Sequence, residues 1–179
     1  MDKTHVVNIK GMDAYLPLIK INENVTIAFF NLHGNPTLTE HCGKELARLA
    51  DGADVLLTAE SKGLQLTHVV ARELNMPFYS VARKSKKLYM QDGICIKYGS
   101  SITTGKDQEF HLSKHDADLL VGKKVAIVDD VISTGESLKG LEDLVEKAGG
   151  TVYKKLFVLA EGKAKDREDV TYLATIPLF

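Results

Sequence analysis

Short apolar runs alternate along the chain with longer stretches in which apolar residues recur every three or four positions. The short runs, Asp54–Ala59, Phe78–Ala82, Lys124–Asp129, Val152–Ala160 and Val170–Ile176, read as buried strands because they are apolar on both faces and bounded by charge or turn residues. The longer stretches read as amphipathic helices. One opens at Pro36, with Thr37 and Glu40 spaced as a capping box, presents Leu38, Cys42, Leu46 and Leu49 on one face, and stops at Asp51-Gly52. A second covers Gly63–Asn75, faces inward with Leu66, Val69, Val70 and Leu74, and is halted before Pro77. A third covers Ser137–Ala148 and is closed by Gly149-Gly150. Between Lys84 and His111 the chain turns polar and Gly-containing, with strands expected near Ile94–Tyr98 and Glu109–Leu112. No internal repeat, low-complexity segment or linker interrupts the alternation. Strands alternating with helices predict an α/β fold with a parallel sheet covered on both faces. Ligands of such sheets sit at the carboxyl ends of the strands, the edge that would hold Asp129-Asp130, Glu60–Gly63 and Arg83-Lys84.

The 179 residues are expected to form a single domain, 1–179, long enough for a full core. A net charge of −1 offers no footprint for nucleic acid and no polybasic patch for a membrane. No apolar stretch approaches a membrane span, and no signal-peptide pattern opens the chain, so a cytoplasmic protein is expected. Cys42 and Cys95 are the only cysteines, and without metal-type spacing they read as buried thiols in a reducing compartment.

The densest chemistry lies in Val125–Ser137, where an apolar strand ends in Asp129-Asp130 and a loop of small residues, Ser133-Thr134-Gly135, leads into a helix. Such a loop aims backbone N–H groups at one spot, and the helix adds its free N-terminal donors and dipole, which makes an anion site suited to phosphate. The carboxylates would repel that phosphate. They suit hydroxyls beside it, or a Mg²⁺ ion, so the ligand implied is a sugar phosphate. Thr58-Ala59-Glu60-Ser61-Lys62-Gly63 repeats the logic of strand, turn, basic residue and helix, and suits a second phosphate group. Arg83, Lys84 and Lys87 follow a third strand as a basic cluster. His33, His68, His111 and His115 are scattered and read as surface or structural residues. Walker A, dinucleotide and HExxH patterns are absent, and so is a nucleophile triad.

Strand, acidic pair and small-Thr-Gly-x-Ser loop together resemble the phosphoribosyl-diphosphate (PRPP) loop of the type I phosphoribosyltransferases. The acidic-Ser-Lys-Gly turn and the Arg-Lys stretch resemble the purine subgroup, adenine phosphoribosyltransferases with similarity to the xanthine enzymes, over about residues 35–161. The resemblance implies a parallel sheet flanked by helices, a small hood from about 1–34 and the C-terminal stretch, and a flexible lid over about 84–108. It implies a transferase that moves the 5-phosphoribosyl group of PRPP to a purine base with Mg²⁺ as cofactor and releases diphosphate, working in purine salvage as a homodimer. By the same resemblance Asp129 and Asp130 are the catalytic and metal-binding pair. Ser133, Thr134, Gly135, Glu136 and Ser137 hold the 5-phosphate, with the Glu136 carboxylate turned away from it. Glu60, Ser61, Lys62, Gly63, Arg83, Lys84 and Lys87 hold the diphosphate, and Phe29, Phe30 and Lys163 meet the base, although Phe30 and Phe29 are equally readable as core. Two departures stand out. Ile96-Lys97-Tyr98-Gly99 replaces the Leu-Glu-Tyr-Gly of adenine enzymes, so the lid Glu has no counterpart at Lys97, and the Phe-Arg-Asp-Ile stretch of their N-terminus is missing. Adenine is the expected base, through Arg83-Lys84, Tyr98-Gly99 and Glu109-Phe110-His111. Xanthine or hypoxanthine/guanine transfer, a PRPP-sensing regulator and a Rossmann domain for another ligand are the alternatives.

Overall fold

The computed structural model describes residues 3–23, 25–100 and 107–179. The chain begins with three antiparallel strands, β1 (Thr4–Ile9), β2 (Met12–Asn22) and β3 (Val25–Ala28), ordered β1-β2-β3. Lys10 and Gly11 both take positive φ, 49° and 95°, as a two-residue hairpin turn requires. Then follow α1 (Pro36–Leu49), β4 (Val55–Ala59), α2 (Gly63–Glu73), β5 (Ser80–Ala82), the antiparallel pair β6 (Ile94–Ser100) and β7 (Asp107–Leu112), and the short α3 (Lys114–Asp118). The chain ends with β8 (Lys124–Ile132), α4 (Glu136–Lys147), β9 (Thr151–Glu161), a 3-10 turn at Gly162–Asp166 and β10 (Thr171–Ile176). Five strands form a wholly parallel sheet in the order β10-β9-β8-β4-β5. This is the α/β architecture that the alternation predicts.

Side chains alternate across the central strand β8 and so divide the core in two. Ala126 and Val128 pack with α1, α2 and the N-terminal strands; Val125 and Ile127 pack with α4 and the β6–β7 pair. α1 and α2 can approach closely because Gly43 has no side chain: a Cβ there would lie 2.4 Å from Val69 Cγ1. The outer strands of the core are narrower than the apolar runs suggest. β5 starts at Ser80, leaving Phe78 59% exposed outside the ladder.

Two local expectations are corrected. α1 is capped by Asn35, whose side chain accepts a 3.1 Å hydrogen bond from Leu38 N, with Pro36 at the first turn; Thr37 lies inside the helix, so no Thr37–Glu40 capping box forms. β8 does not end at Asp129. It stays paired with β9 through Ile132, because Val131 and Ile132 keep registering with Leu159 and Ala160. Residues 94–100 of the expected lid pair with residues 107–112 in a ladder that packs on α4; lid residues 101–106 lie outside the described residues.

Candidate active site

Gly135 stands at the N-cap of α4 in the left-handed conformation, φ 86°, and no side chain caps the helix. The donors of the first turn are therefore left for a ligand, as an anion site needs. Glu136 N has only a long 3.4 Å approach to Thr134 Oγ1. Ser133, Thr134, Gly135 and Ser137 line a cavity of about 140 Å³ together with Asp129. The helix starts one residue earlier than the periodicity indicates, which puts Glu136 in its first turn. The Glu136 side chain lies over the bare backbone of Gly99, where a Cβ would stand 2.9 Å from Oε2.

Asp129 and Asp130 are neighbours on a regular strand, so their side chains leave on opposite faces. Asp129 goes toward the loop, where its Oδ1 accepts from Asp130 N at 2.9 Å. Asp130 goes to the other face, is 6% exposed, and pairs with Lys62, Nζ to Oδ2 3.3 Å. Burial pushes the Asp129 carboxyl well above the usual carboxylate range, and the charge of Asp130 adds to the shift. The strand expected to end in Asp129-Asp130 runs on to Ile132, so both carboxylates stand inside it, Asp130 buried and Asp129 half-buried.

The Glu60–Gly63 turn joins β4 to α2, and the Glu60–Ser61 peptide is cis. Gly63 has no room for a side chain: a Cβ would lie 2.1 Å from Thr58 Oγ1 and 3.0 Å from Asp129 Oδ1. The turn and the carboxylate pair are thus in direct contact. Lys62 reaches Asp130 and sits 5.5 Å above the Phe29 ring, so its ammonium serves the buried carboxylate. Glu60 clamps the end of β5, with Arg83 Nε at 3.1 Å and Lys84 N donating at 2.7 Å. Arg83 also exchanges both backbone hydrogen bonds with His111, each 2.8 Å, which ties β7 to β5. Lys87 donates to Ser85 Oγ at 2.8 Å, within the exposed stretch after Arg83.

A cavity of about 600 Å³ opens between β2, residues 29–31 and the start of α1, lined among others by Asp13, Tyr15, Phe29, Asn31 and Asn35. Of the two phenylalanines, Phe30 is 2% exposed and belongs to the core, whereas Phe29 is 37% exposed. Lys163 is exposed on the 3-10 turn and does not line this cavity.

Two contributors, Arg167 and Asn31, carry no motif of their own, and Tyr98 makes contacts that the Tyr98-Gly99 motif does not show. Arg167 lies against Gly135, where a Cβ would stand 2.4 Å from its NH1, while Asp169 accepts from the same guanidinium at 2.9 and 2.7 Å. Tyr98 stacks on Phe110 at 4.2 Å and presses on Gly140, where a Cβ would lie 2.7 Å from Tyr98 Cγ. Asn31 Oδ1 accepts from His33 N at 3.2 Å, which leaves the amide NH₂ to donate. Only tertiary contact reveals these; the residue type at Gly140 is the single trace in the sequence.

Residues 31–176 match the model of the phosphoribosyl transferase domain. The chain is 34% identical over 148 residues to the xanthine phosphoribosyltransferase of an Exiguobacterium species, covering 78% of this chain and 75% of that one. It is 32% identical to the xanthine phosphoribosyltransferase of Bacillus cereus over 70% of this chain, and spans 63% of that protein's length. Among solved structures, adenine phosphoribosyltransferase of Thermoanaerobacter pseudethanolicus superposes with a TM-score of 0.72 at 21% identity, covering 90% of this chain and 95% of that one. The Saccharomyces cerevisiae enzyme, solved with an imino-altritol bisphosphate and adenine, gives 0.67 at 21%, covering 96% and 92%. At that identity the structural likeness establishes the fold. No helix among the described residues is long and apolar enough to cross a membrane. The sequence relatives, the domain match and the shared fold together place the chain in the type I phosphoribosyltransferase family, in its purine branch.

Proposed function

We propose that this chain transfers the 5-phosphoribosyl group of PRPP to a 6-oxopurine, xanthine foremost, and releases diphosphate. The observation that carries the transfer reaction is the end of β8, where an uncapped helix N-terminus meets a carboxylate pair, Asp130 buried and Asp129 half-buried. The uncapped donors at Gly135–Ser137 take the 5-phosphate, as helix N-termini take anions. Asp129, on the loop side of the strand, holds ribose hydroxyls and stabilises the positive charge that grows on the sugar as the bond to diphosphate breaks, while Asp130 on the other face fixes Lys62 and the turn before α2. Glu60 holds Arg83 and the Lys84 backbone in place, and Arg83 and Lys84 receive the negative leaving group. No side chain forms a covalent bond; the chain positions, screens and orients.

A divalent ion fits the donor set. Asp129 offers carboxylate oxygens of the hard type that Mg²⁺ takes, whereas Lys62 already neutralises Asp130. Mg²⁺, when bound, neutralises diphosphate charge, with Asp129 as the side chain that would hold it. The base enters the cavity beside Phe29, whose exposed ring offers a stacking face. The free NH₂ of Asn31 in the same cavity suits an oxygen acceptor of a 6-oxopurine, and the relatives at 32–34% identity are named for xanthine. Adenine is the second reading, resting on Arg83-Lys84, Tyr98-Gly99 and Glu109-Phe110-His111.

Competition among adenine, hypoxanthine, guanine and xanthine for limiting PRPP tests the choice. Xanthine should be used at least ~10-fold better than adenine by kcat/KM, since a site built for one exocyclic pattern rejects another. A preference for adenine by the same margin would install the second reading. Lys163→Ala should leave the ranking unchanged, as that side chain stands outside the cavity.

A further inference from the structure

We propose that Cys95, Glu109 and His111 form a binding site for Zn²⁺ on the outer face of the β6–β7 pair, separate from the carboxylates of β8. The register builds the cluster. Cys95 stands directly opposite His111, and Glu109 precedes His111 by two residues, so all three project from one face of the ladder. The opposite face carries Phe110 and Leu112 into the core. His111 Nε2 lies 3.9 Å from Cys95 Sγ and 3.0 Å from Glu109 Oε2, and the three ligand atoms are all within 4.8 Å of one another. A tetrahedral zinc with Zn–S about 2.3 Å and Zn–N and Zn–O about 2.0–2.2 Å needs ligand edges of roughly 3.3–3.7 Å. The Nε2–Sγ and Nε2–Oε2 distances lie within about half an ångström of those edges.

The donor set selects the ion. Thiolate and imidazole suit zinc and are poor ligands for magnesium. The ring is held before any ion arrives: His111 is 7% exposed and its backbone is fixed to Arg83 by two 2.8 Å hydrogen bonds. Glu109 keeps 35% of its side chain exposed, which leaves a side open for water as fourth ligand. The cations nearby do not block it. Lys97 stands 3.9 Å from the other carboxylate oxygen, Oε1, and Lys147 donates to the carbonyl oxygen of Cys95. An ion here would cross-link β6 to β7 and, through the Arg83–His111 bridge, brace both against β5. The site does not depend on which base the enzyme uses, or on transferase activity.

The test strips the full chain with chelator and titrates it with Co²⁺, a spectroscopic stand-in for zinc. A thiolate-to-cobalt charge-transfer band should saturate at a single equivalent, vanish on addition of Zn²⁺, and persist in excess Mg²⁺. Cys95→Ser should abolish the band, although Cys42, sealed in the core at 0% exposure, remains. Zn²⁺ affinity should fall by ~100-fold or more in Cys95→Ser and by at least ~10-fold in Glu109→Gln, larger than or equal to outer-shell losses. Absence of the band in the native chain, or its survival in Cys95→Ser, overturns the site. If circular dichroism shows Cys95→Ser unfolded, Glu109→Gln decides: unchanged Zn²⁺ affinity overturns the site and a tenfold loss sustains it.

Discussion

Lys62 Nζ lies 3.3 Å from Asp130 Oδ2 and links the N-cap of α2 to the strand β8 that leads into the phosphate loop. The pair is asymmetric: the Asp130 side chain is 9% exposed and that of Lys62 is 42% exposed. Removing the lysine therefore strands a buried carboxylate, which costs more than an exposed pair is worth. Lys62→Met should lose about 1–3 kcal/mol of stability in urea unfolding, and Lys62→Arg much less. A Lys62→Met protein as stable as wild type contradicts the pairing.

Asp129 gives stability a pH signature. Its pKa is raised in the folded chain, chiefly by burial, so the native state holds a proton that the unfolded chain has already lost. The stabilisation is complete below the ordinary carboxylate range and is lost as pH rises through the elevated value. Asp129→Asn removes this slope. In metal-free buffer, wild type should lose stability relative to Asp129→Asn as the pH climbs from acid toward neutrality. The measurement is a series of thermal melts of both proteins; parallel curves would rule the shift out.

Phe29 and Phe30 are neighbours with opposite burdens. Phe30 is core, so Phe30→Ala should cost about 3–5 kcal/mol. Phe29 is 37% exposed at the cavity wall, so Phe29→Ala should change stability little and raise KM for the base more than KM for PRPP. Denaturation midpoints and two-substrate kinetics separate the pair.

Gly135 combines positive φ with a close neighbour, Arg167 NH1. Gly135→Val would strain the backbone and push the guanidinium aside, so PRPP affinity should fall in equilibrium binding without any base present. Intact PRPP binding with slower turnover would move the role of this loop from binding to chemistry.

Much of this was legible because the local rules and the tertiary fold agree. Val125–Val128 is apolar on both faces and becomes the central strand; Ser133–Gly135 is small and becomes an uncapped helix entry. The N-terminal strands escaped the pattern because their turn is Lys10-Gly11, a weaker hairpin signal than Asn-Gly or Asp-Gly. The division of Asp129 and Asp130 between two faces follows from strand alternation once β8 is known to run to Ile132, which depends on pairing with β9. Lys62, expected at the diphosphate, is aimed by a carboxylate 68 positions away in sequence, Asp130, a direction that its place in a turn does not encode. Arg167, Asn31 and Tyr98 act through contacts that no local spacing encodes.

The most direct test of the account is diphosphate release from PRPP by the purified chain with Mg²⁺ and each of the four purine bases in turn. The account predicts base-dependent release, lowered by roughly two orders of magnitude or more in Asp129→Asn with its fold intact, since charge stabilisation of this kind is worth about 3 kcal/mol or more. No release with any of the four bases, from a protein that binds PRPP, would contradict it.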